Sequence, residues 1–176
     1  MKNKIRISVL ALALLSIPAL ADSTSNTTKA TASMTDSCRM FAASMNFGNY
    51  NPASDSFATS TISLQCTKGT SATVGINVSN DTPSGTKFNK YAVWEGQWYT
   101  RSLIKGSDRL EYHLFQDANH TLVFGGFDFY ASTPNATPIL TGNGALQTVT
   151  VYGAMSDGQY VPPGNYSENL NVQVRF

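Results

Sequence analysis

The sequence predicts an all-β domain, a sandwich of short antiparallel strands, on three observations. Apolar and polar residues alternate with a period of two in several runs; Gly, Pro, Asn, Asp and Ser clusters separate those runs; and no segment after the first 21 residues repeats apolar residues at helical spacing for three turns. A period of two puts alternate side chains on opposite faces of a strand. Many such strands at close intervals pack as two sheets. With 176 residues, 41% hydrophobic, nine Phe, eight Tyr and two Trp, the chain can bury one sizeable core.

The elements follow in order. Lys2, Lys4 and Arg6 precede a mostly apolar run from Ile7 to Leu20, and Ala19-Leu20-Ala21 supplies the small residues that signal peptidase reads. Residues 1–21 are therefore expected to be a signal peptide cleaved before Asp22. A membrane anchor would need ~20 apolar residues, and this run contains Pro18 and stops short. Residues 22–37 are rich in Ser and Thr, with Met34 as their only large apolar residue, and read as an arm outside the core. Residues 38–176 read as one domain. Within them Ile62, Leu64 and Cys66 alternate with Ser63 and Gln65; Val74, Ile76 and Val78 with Gly75 and Asn77; Leu110, Tyr112 and Leu114 with Glu111 and His113. Each run predicts a half-buried strand. Leu170, Val172, Val174 and Phe176 alternate with Asn169, Asn171, Gln173 and Arg175 in a final strand. Turn chemistry falls at Pro83-Ser84-Gly85, Lys105-Gly106-Ser107-Asp108, Thr141-Gly142-Asn143-Gly144 and Pro162-Pro163-Gly164-Asn165.

Charge excludes several functions. Only 13% of residues are charged, and loss of the leader would leave 9 basic against 11 acidic residues, a net of −2. Such a chain has no pull toward nucleic acid or anionic lipid. The two cysteines, Cys38 and Cys66, would meet an oxidising compartment after export, where a lone pair forms a disulfide. A catalytic thiol would need a base in reach, and the only histidines, His113 and His120, are far along the chain. Neither cysteine has another Cys or a His at metal-ligand spacing. No Gly-x-Ser-x-Gly, His-Glu-x-x-His or phosphate-cradling loop is present. Asp117 reads as a turn former, and Asp128 as solvent-exposed between Phe127 and Phe129. The reading is no enzyme, no metal and no cofactor. One composition stands apart: Phe88, Tyr91, Trp94, Trp98 and Tyr99 fall within twelve residues among Lys87, Lys90, Glu95 and Gln97. These rings form either a sugar-stacking or protein-contact platform, or part of the core and the cover of a hairpin.

A set of short motifs then carries a resemblance. Phe47-Gly48-Asn49-Tyr50 follows the first cysteine; Ile62-Ser63-Leu64-Gln65-Cys66 and Leu110-Glu111-Tyr112-His113-Leu114-Phe115-Gln116-Asp117 come next. Val151-Tyr152-Gly153 and Val161-Pro162-Pro163-Gly164-Asn165-Tyr166-Ser167 precede the terminal alternating strand. In order and spacing these resemble the spore coat protein U domain family, over Cys38 to Phe176. That family includes secreted subunits of archaic chaperone-usher pili.

The resemblance implies an immunoglobulin-like β-sandwich that lacks its last strand and is completed by a donor strand. The open edge is aggregation-prone. A periplasmic chaperone would lend a strand, an outer-membrane usher would mediate export, and the arm of a neighbouring pilin subunit would then replace the chaperone's strand. By position, Leu170, Val172, Val174 and Phe176 would flank the groove, and Thr28, Ala30, Ala32 and Met34 would be the inserted face of the arm. This arm carries less apolar bulk than one built from Val, Leu or Ile, which favours a minor or adaptor subunit over the bulk of a shaft. The expected function is a structural pilin in surface fibres for adhesion and biofilm formation. The alternative is a secreted, self-completed sandwich that binds a carbohydrate or coat partner through Trp94, Trp98 and Tyr99.

Overall fold

The computed structural model describes residues 28–77, 100–127 and 137–176. The chain divides into two units, Met1–Ser33 and Met34–Phe176. In the first, residues 28–33 are exposed and carry no regular secondary structure. Among its described residues the second contains eight strands: β1 (Cys38–Ala42), β2 (Ser56–Cys66), β3 (Ser71–Asn77), β4 (Arg101–Lys105), β5 (Asp108–Phe115), β6 (Ile139–Thr141), β7 (Leu146–Met155) and β8 (Asn171–Arg175). No helix occurs among the described residues.

The strands form two antiparallel sheets, one of order β1-β2-β7-β5-β4 and one of order β6-β3-β8. Their inward residues make a single core from Ile62 and Leu64 on β2, Val74 and Ile76 on β3, Leu110, Tyr112 and Leu114 on β5 and Val151 on β7. The turns obey their chemistry. Gly106 has a φ of 60°, which suits the tight connection of β4 to β5, and Gly144 a φ of 85° before β7.

Three features depart from the expected pattern. β5 is buried on both faces: Glu111 and His113 are each only 6% exposed. The ladder from β5 to β7 covers only His113 to Phe115, and the chain beyond β7 folds back so that Gln159 takes the missing strand's place. The Glu111 N–H donates to Gln159 Oε1 at 2.6 Å, and Gln159 Nε2 donates to the Glu111 carbonyl at 2.9 Å. β3 is likewise covered outside. The Phe127 ring lies on Gly75, where a Cβ would come within 2.7 Å of it, and Asn77 Oδ1 accepts from the Phe127 N–H at 2.8 Å. Finally, β8 stops one residue early. Its ladder to β3 ends at the Thr73–Arg175 pair, and Phe176 beyond it is 58% exposed rather than inward.

Candidate functional site

β8 pairs with β3 along one side only; among the described residues no strand pairs with its other side. Leu170, Val172 and Val174 are partly buried and pack against the core, while Asn169, Asn171 and Arg175 are exposed. Between this strand with its lead-in and the end of β1 with the segment after it, Ala42 to Phe47, lies a cleft of about 310 Å³. Its floor is core: Ile62, Ile76, Tyr112 and Val151 all reach it. The segment opposite β8 is positioned by packing. Met45 and Phe47 rest on Gly153 of β7, where a Cβ would stand 2.6 Å from Met45 Sδ, and the Phe47 ring meets Tyr112 edge-on at 5.3 Å.

The cleft contains one charged group. Tyr112 Oη donates to Glu168 Oε2 at 2.6 Å. Burial, reinforced by the Glu168 carboxylate, pushes the Tyr112 phenol far above its usual range, so this hydroxyl is a fixed donor. Beneath lies Arg101, fully buried, its guanidinium donating to the Asn77 carbonyl at 2.7 Å and to the Ile76 carbonyl. Burial lowers its pKa, while Tyr112 and Glu168 oppose that shift. Apart from Glu168 and the small polar side chains of Ser44, Ser60 and Asn169, the cleft lining is apolar or aromatic. Among the described residues no three His, Cys, Asp or Glu side chains converge as a metal site would need.

Residues 24–173 match the family model of the Spore Coat Protein U domain. The chain belongs to the Spore Coat Protein U domain family. No curated protein shows a significant match to it. Among solved structures it resembles a chain of the chaperone–tip adhesion subunit pre-assembly complex, CsuC–CsuE, from archaic chaperone-usher Csu pili of Acinetobacter baumannii. Identity is 17% and the TM-score 0.51, over 80% of this chain and 40% of that one, so the chain spans two-fifths of that neighbour's length. The likeness is one of fold, an immunoglobulin-like β-sandwich.

The cysteines of this Spore Coat Protein U domain are bonded. Cys38 and Cys66 stand opposite one another in the β1–β2 ladder with Cα atoms 4.1 Å apart, and form the disulfide. Just before β1, the Thr70 hydroxyl donates to Asp36 Oδ1 at 2.9 Å and the Ser37 N–H to Thr67 Oγ1 at 3.2 Å. Thr28, Ala30 and Ala32 are exposed in the first unit, and Met34 is 85% exposed in the second. Asp117 closes a turn, accepting from the Leu122 N–H at 2.7 Å and the Thr121 hydroxyl at 2.8 Å. Residues 1–21, expected to be a signal peptide, the turn at Pro83-Ser84-Gly85, Asp128 and the aromatic cluster with Trp94, Trp98 and Tyr99 lie outside the described residues. Sequence reasoning missed Glu168 and Arg101. Neither lies in an alternating run, and a charged residue inside a cleft built from two sheets leaves no local signal.

Proposed function

We propose that this protein is a structural pilin subunit, exported through a cleavable leader formed by residues 1–21 and assembled into surface fibres by donor-strand exchange. The observation that supports the reading is the side of β8 that no strand among the described residues pairs with, beside a cleft floored by core residues. Such an edge is a template for strand addition. A periplasmic chaperone holds the cleft during transit, an outer-membrane usher receives the complex, and residues 22–37 of a neighbouring subunit then fill it. Inward-facing Thr28, Ala30, Ala32 and Met34 bury little apolar area, which suits a minor or adaptor position in fibres serving adhesion and biofilm formation. The test is electrophoretic: cell-surface material run unheated in detergent gives a ladder of multimers that collapses to monomer on boiling. A monomer in both lanes overturns the reading.

A further inference from the structure

A second cleft, of about 500 Å³, lies on the other side of Phe47 and Leu103 from the first, between the loops Asn46–Tyr50 and Pro162–Tyr166. Its floor includes buried Leu110 and Met155. Its walls carry the exposed amides of Asn46, Asn49 and Asn165 and the ring of Tyr166, and none of its lining residues is Asp, Glu, Lys, Arg or His.

Both loops are braced from within. Tyr50 Oη donates to the Ser156 carbonyl at 2.7 Å and accepts from the Gln159 N–H at 3.1 Å; Tyr166 Oη donates to the Pro162 carbonyl at 2.6 Å; Lys105 Nζ donates to the Pro163 carbonyl. Asn46 spends its Oδ1 on the Gly48 N–H at 2.8 Å, and its NH₂ bonds to no described residue. The side-chain amides of Asn49 and Asn165 bond to no described residue. The walls are thus fixed while their recognition groups stay unspent.

We propose that this cleft binds a neutral saccharide. An amide presents a donor and an acceptor side by side, the pattern that vicinal sugar hydroxyls complement. A tyrosine ring with an apolar floor receives the C–H face of a pyranose. No Asp, Glu, Lys, Arg or His side chain lines the cleft, and the Lys105 ammonium beside it is engaged by the Pro163 carbonyl and lies over the Tyr166 ring, which favours an uncharged ligand; the volume falls within the ~300–1,000 Å³ of small-molecule sites. This site is separate from the open side of β8 and does not depend on strand exchange.

The test is calorimetry of the intact chain, in purified assembled form, with neutral di- to tetrasaccharides of hexose and N-acetylhexosamine and with sialylated and sulfated counterparts. The expected result is saturable binding of at least one neutral saccharide at about millimolar Kd, with no gain from added negative charge. Asn49→Ala with Asn165→Ala lowers that affinity about tenfold, the loss of two hydrogen bonds, while protease resistance is unchanged. The proposal is overturned if no neutral saccharide saturates, if the double variant binds like the wild type, or if acidic sugars bind best. It is equally overturned if Trp94→Ala with Trp98→Ala abolishes binding that the Asn variants leave intact.

Discussion

Val172 packs against the core and lines the open cleft on the same face of its strand, opposite Ile76 in the ladder. Val172→Asp puts an unpaired carboxylate among Ile62, Ile76 and Val151 and costs about 3 kcal/mol or more, seen as loss of accumulated protein and a lower urea midpoint. Asn171→Asp, on the exposed side, leaves the midpoint within about 0.5 kcal/mol of wild type. Asp117 gives a pH test. Burial pushes its carboxyl up, but hydrogen bonds from the Leu122 N–H and from Thr121 outweigh this and hold it below the ordinary range. A depressed folded-state pKa contributes stability that is present above the unfolded value of about 3.9 and lost as pH falls through the folded one. The protection of the 117–122 amides, their exchange relative to the intrinsic rate, should therefore fall on acidification below roughly pH 4 in the wild type, and this acid limb should be absent in Asp117→Asn. At this scale the sequence was informative where one residue answers to its neighbours. Alternation located Val172, and the Asp-Ala-Asn context located Asp117. Glu168 and Arg101 were invisible because their partners lie on other strands.

β1 is short, and its hold on the domain is covalent as well as hydrogen-bonded. Replacing Cys38 and Cys66 with Ala removes a cross-link spanning 28 positions, which is worth about 3.5 kcal/mol in the chain-entropy model. The expected outcome is a lower melting temperature, with exchange rising first in the amides of residues 38–42. The elements that alternation revealed were those with one apolar face, the second half of β2 and the inner faces of β3, β5 and β8. The first half of β2, Ser56 to Thr61, has Phe57 as its one large apolar residue, and Phe57 is 55% exposed. Its strand state comes from six consecutive pairs with β7, Ser56–Met155 through Thr61–Thr150, within a ladder of ten. The outward residues of β3 looked solvent-facing because the segment that covers them, Gly125–Phe127, is distant in sequence, as is Gln159, which takes the open edge of β5 at Glu111.

For the whole molecule, the decisive variant is in the arm. Ala30→Asp with Ala32→Asp should abolish the multimer ladder and leave protease resistance of the Met34–Phe176 unit unchanged, since residues 28–33 are exposed and belong to the other unit. Charge entering a cleft floored by Ile62, Ile76 and Val151 would meet no counter-ion there. Ladder formation by the double Asp variant would show that the arm is not what fills the cleft. The sandwich was legible because turn clusters and period-two runs recur along the chain. That β8 has a partner on one side only among the described residues could not be read from its own residues, since a missing neighbour leaves no mark on the alternation of the strand itself.

The disulfide also decides how the domain meets a mechanical load. Cys38 is the first residue of β1 and Cys66 the last of β2. Tension entering the chain at Ser37 therefore reaches a covalent bond before it reaches the β1 ladder, and is passed to the end of β2. There it is resisted in shear by ten β2–β7 pairs that must give way together, instead of peeling β1 off one rung at a time. Reduced protein would yield under pulling at the hydrogen bonds of a five-residue strand, while oxidised protein would yield only when its longest ladder slides.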